Sequence, residues 1–172
     1  LNNFLSDLPS MAIATDRVDD EHLRRPQRWR MADVRHTMLV YGAISSLFDL
    51  LTFALLMWVF AAGAALFQSA WFVVSLLTEL AVVLVLRTRG PAFKSRPGTL
   101  LLWATAGVAG VALVLPYTGP LATLMGFVPL PPALLAAAIG IVAAYVLATE
   151  WAKQHVERRL KTPSAPSRAH RR

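Results

Sequence analysis

The sequence predicts an all-α integral membrane protein, and three observations carry that expectation. Hydrophobic residues make up 56% of the 172 and charged residues only 16%, with a mean hydropathy of +0.51, too apolar for an ordinary soluble domain. The apolar residues fall into four continuous runs, each 17 residues or longer, close to the roughly 20 residues that a helix needs to cross a hydrocarbon core. All 17 Lys and Arg fall outside those runs, in three polar segments before, between and after them.

The first ten residues, L-N-N-F-L-S-D-L-P-S, form an apolar segment interrupted by Asn2, Asn3, Ser6 and Asp7, and Pro9 is expected to break it. A carboxylate in an apolar helix is costly by at least about 2.5 kcal/mol, so it marks an ion pathway or a paired charge. Asn3 and Asp7 are four residues apart and share a helix face. Pro9 lacks an N–H and so frees the carbonyl of Leu5. Carboxylate, amide and carbonyl oxygens are the donors that hard cations prefer, which makes Asn3 and Asp7 candidate ligands. Structural hydrogen bonding to a neighbouring helix is the alternative for the same pair.

Residues 16–37 form a basic connector with Arg17, Arg24, Arg25, Arg28, Arg30 and Arg35, too charged to lie in lipid. The runs Met38 to Ala62, Phe67 to Leu86, Thr99 to Leu115 and Ala133 to Thr149 are the predicted spans, so residues 38–149 read as a four-helix bundle. Trp58 and Phe60 suit the aromatic belt at a membrane interface. Asp49 interrupts the first span and Glu79 the second. Asp49, four residues after Ser45, reads equally as a cation ligand or as a carboxyl satisfied by hydroxyls. Glu79 reads as a ligand, a proton carrier or a neutral core residue. Arg87, Arg89, Lys94 and Arg96 mark the loop between spans two and three, and Tyr117 to Pro132 reads as an interfacial turn or short re-entrant segment. Ala106 and Gly110, and Ala136, Gly140 and Ala144, have the spacing that lets helix backbones approach closely.

Six Lys and Arg lie in the connector, four in the second polar loop and seven in the tail of residues 150–172, while the opposite loops have none. The positive-inside rule puts those three segments in the cytoplasm of a multi-pass protein of the inner membrane. The basic surplus thus faces lipid headgroups, not nucleic acid. With no cysteine there is no disulfide or thiolate site, and His22, His36, His155 and His170 are too scattered for a metal centre. Because Leu1 is not an initiator methionine and residues 1–15 already have mid-helix character, the chain is expected to be the C-terminal piece of a longer protein; a start at Met11 is the alternative.

The opening L-N-N-F-L-S-D-L-P-S-M-A-I-A-T-D-R-V-D, then R-R-P-Q-R-W, I-S-S-L-F-D-L-L-T-F-A-L-L, L-F-Q-S-A-W-F-V-V-S-L-L-T-E-L, L-R-T-R and V-P-L-P-P, in this order and spacing, resemble the C-terminal membrane region of the magnesium-type P-type cation-transporting ATPases. The resemblance runs from Leu1 to about Arg159. It implies the second half of the sixth membrane helix (residues 1–15) and helices seven to ten of a ten-helix pump. It further implies Mg2+ or another divalent cation as the transported ion and the N-terminal remainder of the pump as partner. Asn3 and Asp7 match the N-x-x-x-D that helps bind that cation, and relatives often carry glutamine at the position of Glu79. The family's phosphorylated D-K-T-G-T has no counterpart here, and no P-loop is present, so ATP would act only through cytoplasmic domains outside this stretch. A self-contained membrane scaffold, and an ion-coupled carrier using Asp7, Asp49 and Glu79, are the other function classes compatible with the residues.

Overall fold

The computed structural model describes residues 1–13, 31–88, 92 and 97–161. The arginine-rich part of the connector, Arg89, Lys94, Arg96 and the end of the tail lie outside the described residues. All regular structure among the described residues is helical. α1 spans Asn2–Ala12, α2 Met31–Ala54, α3 Ala64–Leu86, α4 Thr99–Val114, α5 Pro120–Leu124 and α6 Pro132–Lys161. A π-helical turn, Leu55–Val59, prolongs α2, and a 3-10 turn, Leu115–Tyr117, prolongs α4.

Among the described residues four helices are long and apolar enough to cross a membrane: Val34–Val59, Ala64–Leu86, Thr99–Tyr117 and Pro132–Val156. Exposed tryptophans mark the levels of two interfaces. Trp58 lies at the far end of α2, whereas Trp103 and Trp151 lie near the start of α4 and towards the end of α6.

The helices differ from their expected bounds at three places. α2 starts at Met31, seven residues before the expected Met38, so the last part of the expected connector is helical. The last helix continues twelve residues beyond Thr149, because Glu150 and Lys153 pair with each other and with the end of α3 and are buried instead of solvated. α1 is not broken at Pro9 but runs through it to Ala12. Proline removes one backbone donor from a helix, and here its ring is buried on the packed face with Leu5, Ser6 and Ala12.

α3 is the central element. It packs most extensively on α6, and also on α1 and α4, while α2 packs on α6. The main core joins Leu5 of α1, Leu56 after α2, Phe72, Leu76 and Leu80 of α3, Val108 and Ala112 of α4 and Leu134 of α6. Lipid is as apolar as these side chains, so the bundle is held by close packing and hydrogen bonds, not by exclusion of water. The small-residue faces are not where that packing occurs. Ala106, Gly110, Ala136, Gly140 and Ala144 are all exposed, and a Cβ added at either glycine would meet nothing within 4 Å. The contacts are made instead by Leu101, Thr105, Val108 and Ala112 of α4 and by Leu134, Ala138, Ile141 and Tyr145 of α6.

Cross-connections sort the loops onto two sides. Lys153 Nζ donates to the Val85 carbonyl at 2.7 Å, and Ala92 N–H donates to Glu150 at 3.3 Å, so the end of α3, the second polar loop and the end of α6 share one side. On the other, Gln68 donates to the Met125 carbonyl and Val128 N–H donates to Ser69 Oγ at 2.8 Å, tying the start of α3 to the segment after α5. The stretch from Tyr117 to Pro132 is thus the expected turn, built around the five-residue α5.

Candidate functional site

α1 carries two polar pairs of the same spacing on different faces. Asn2 and Ser6 are four apart, with Ser6 buried and Asn2 half-buried against the bundle; Asn3 and Asp7 are also four apart and both exposed. The difference follows from the 100° per residue turn of a helix, which moves each residue of an N-N pair to a different environment. Leu5, Pro9 and Ala12 hold one face of α1 against α3 and α4. The opposite face therefore presents the amide of Asn3 and the carboxylate of Asp7 outward, and neither side chain makes a hydrogen bond among the described residues.

Glu79 does not meet Asn3 or Asp7. Its carboxylate oxygen accepts a hydrogen bond from Asn2 Nδ2 at 3.1 Å, across 77 residues of sequence. The other end of that amide, Asn2 Oδ1, is buried with no hydrogen-bond partner. A buried acceptor without a donor costs about 1–3 kcal/mol. Beside a carboxylate, such an oxygen has the chemistry of a cation ligand, since it has lone pairs to offer and nothing to offer them to. Sequence reasoning missed Asn2 because it looked for a partner to Asp7 four residues back. The signal was the second i, i+4 pair, Asn2 and Ser6, on the side of the helix with Leu5 and Pro9.

Asp49 lies apart from both groups. It is exposed on α2 and borders a small, partly open pocket between α2, α3 and α6, to which α3 contributes Val74 and Thr78. Thr78 and Glu79 are consecutive residues of α3 facing different neighbours. Among the described residues no three His, Asp or Glu come together in a metal-binding group. The oxygens that the structure does offer a cation are partial sets: Asn3 with Asp7 on the outward face of α1, and Asn2 with Glu79 between α1 and α3.

Comparison with known proteins identifies the family. Residues 1–155 match the family described as cation transporting ATPase, C-terminus. The magnesium-transporting ATPase, P-type 1 of Escherichia coli (strain K12) is 40% identical over 164 residues, which is 92% of this chain and 18% of that protein. The protein of the same name from Salmonella typhimurium (strain 14028s) is 40% identical over the same length. A further Salmonella typhimurium (strain LT2) protein of that name is 33% identical over 159 residues, 90% of this chain and 17% of its own length. The chain thus spans about a fifth of the length of these curated relatives. The family match runs in one stretch from α1 into α6, ending at residue 155, and the chain belongs to the C-terminal membrane region of the P-type cation-transporting ATPases.

Proposed function

We propose that the chain is the C-terminal membrane segment of an ATP-driven pump that moves Mg2+ or another divalent cation, and that Asn3 and Asp7 supply oxygens to that cation. On this reading α1 is the second half of the sixth membrane helix, and α2, α3, α4 and α6 are the seventh to tenth. ATP acts through domains that precede the stretch described here. The pump lies in the inner membrane with the basic segments and the C-terminus in the cytoplasm, as the distribution of Lys and Arg favours. The magnesium specificity in the names of the relatives at 40% identity supports the choice of ion.

The observation that carries the proposal is the outward stripe of α1. A carboxylate and an amide one turn apart, unpaired and turned away from the packed face, are intolerable against lipid and well suited to a cation shared with further helices. Asn2 and Glu79, with the unpartnered Asn2 Oδ1, offer a second partial set of oxygens on the packed side of α1. Mg2+ requires six oxygens in a compact octahedron at about 2.1 Å, part of them water, so the preceding helices of the pump must complete the set. Asp7→Asn in the full-length pump keeps shape and removes charge. It should lower the cation affinity of phosphorylation about tenfold or more, equivalent to about 1.4 kcal/mol, with nucleotide binding and folding unchanged. Normal cation affinity in both Asp7→Asn and Asn3→Ala, measured on folded pump, would return the pair to a structural role.

A further inference from the structure

Glu79 is a carboxylate short of partners. It is half-buried within a helix apolar enough to cross a membrane, and the Asn2 amide is its one hydrogen-bond donor among the described residues. That bond is 3.1 Å long, whereas an N–H donating to a carboxylate at full strength comes to about 2.7–2.9 Å. A carboxylate has about four lone-pair sites, so most of its accepting capacity is unused. Thr78 beside it gives nothing, since its hydroxyl donates to the Val74 and Ser75 carbonyls.

Asn2 has the complementary defect. Its Nδ2 is spent on Glu79 while its Oδ1 is buried without a donor. Ser6, one turn further along the same face and 4% exposed, does not relieve it, because its hydroxyl donates to the Asn3 carbonyl at 3.1 Å. Rotation about χ2 exchanges the two ends of an asparagine amide at little torsional cost, that torsion being broad and roughly two-fold. One end of the amide is unpaired in either orientation, so what Glu79 holds decides between them. Turned over, the amide puts Oδ1 where Nδ2 now stands, about 3.1 Å from Glu79 Oε2. Two oxygens so placed repel each other when nothing lies between them and together attract a cation. Neighbouring ligands of an octahedron with Mg2+–oxygen bonds of about 2.1 Å are about 3.0 Å apart, which matches this spacing, while Ca2+ bonds of about 2.3–2.6 Å need about 3.3–3.7 Å.

We infer that Asn2 and Glu79 form a second divalent-cation position, between α1 and α3, with the Asn2 amide as its gate. Nδ2 covers the carboxylate when the position is empty, and the turned amide offers Oδ1 to the ion that takes its place. The position is distinct from that of Asn3 and Asp7. The two pairs project about 100° apart around α1, and opposite ligands of Mg2+ are only about 4.2 Å apart, so one compact shell does not span both. Helices outside this stretch supply the remaining ligands, and the inference therefore rests on the reading of the chain as part of a cation pump.

The test is the number of Mg2+ ions bound per full-length pump in nanodiscs, without nucleotide, by equilibrium dialysis at the concentration that just saturates wild type. Thermal unfolding in Mg2+-free buffer checks that each variant is folded. Glu79→Gln keeps the acceptor for Nδ2 and should bind one ion fewer than wild type, Asp7→Asn one fewer, and the double variant two fewer. Variants of Asn2 separate a gate from a merely structural hydrogen bond. Asn2→Leu has no oxygen and should weaken the Glu79-dependent ion by at least about tenfold. Asn2→Asp keeps an oxygen but cannot donate, and should bind that ion at least as tightly as wild type. The inference is overturned if Glu79→Gln loses no ion, if the double variant loses only one in all, or if Asn2→Asp is as weak as Asn2→Leu. An unchanged count in Asp7→Asn alone overturns the reading of Asn3 and Asp7 and leaves the second position standing.

Discussion

Lys153 offers the sharpest test of how the bundle is held. The residue is 3% exposed, and its ammonium donates to the Val85 carbonyl at 2.7 Å and to Thr88 Oγ1 at 3.3 Å, and lies 3.6 Å from Glu150 Oε2. Val85 is one residue from the end of α3, where helix carbonyls lack intrahelical donors and the macrodipole favours a cation. Lys153→Met keeps most of the volume and removes the charge. It leaves Glu150, itself 6% exposed, as a buried carboxylate without its counter-ion, which costs about 3–5 kcal/mol when one partner of such a pair is removed. Glu150→Gln added to Lys153→Met should recover most of that loss, because the amide oxygen still accepts from Ala92 N–H and Gln154, and a neutral pair carries no stranded charge. The assay is reversible unfolding of the chain in mixed micelles, followed by circular dichroism, for wild type, both single variants and the double. A single variant within about 0.5 kcal/mol of wild type, or a double variant worse than Lys153→Met alone, would refute the reasoning.

Other outcomes follow from the same geometry. Ser69→Ala removes the acceptor of Val128 N–H and should cost about 1–3 kcal/mol in the same unfolding assay, loosening the segment after α5 to proteolysis. Gly126 has φ +76° and a Cβ there would meet Gln68 Nε2 at 3.3 Å, so Gly126→Ala should destabilise by about 1–2 kcal/mol. Single cysteines at Ala92 and at the end of α6 should label from one side of sealed vesicles, and cysteines at Gly63 and Gly119 from the other. Glu79→Gln retains an acceptor for Asn2 Nδ2 and should leave thermal unfolding within about 0.5 kcal/mol of wild type, whereas Glu79→Leu, which strands that amide, should lower stability by about 1–3 kcal/mol.

The four spans were legible because hydropathy over about twenty residues is a direct readout of what lipid tolerates. The end of α6 was not, because Glu150 and Lys153 count as two charges in the sequence and as one pair in three dimensions. Small residues misled for a related reason. In spans rich in alanine the spacing of Ala136, Gly140 and Ala144 arises from composition, and which face packs is set by the larger residues Leu134, Ile141 and Tyr145. At the candidate site the pattern of Asn3 and Asp7 was visible, since periodicity is local. The bond from Asn2 to Glu79 was not, since it joins residues 77 apart whose approach depends on how α1 lies on α3. The cavity at Asp49 was half visible: Ser45 and Asp49 share a stripe of α2, but Thr78 and Tyr145 arrive from helices that no local pattern could bring there.

Satisfaction of polar groups separates the structural from the functional in this bundle. At the two ends of α3 the polar atoms find protein partners: Ser69 holds Val128, and Lys153 holds Val85 and Thr88. Between those ends the accounts do not close. Asn2 Oδ1 is buried without a donor, Asp7 and Asn3 face outward unpaired, and Asp49 borders a pocket whose two threonine hydroxyls donate to carbonyls of their own helices. A fold that needed these groups only for cohesion would gain by pairing them or replacing them with leucine, as its apolar neighbours show that it can. Asn2 Oδ1, Asp7 and Asp49 among them offer acceptor oxygens, and no basic side chain among the described residues lines the pocket beside Asp49. On the proposed reading the partner of these oxygens is a cation, whereas Lys153 at the end of α3 is already paired within the protein.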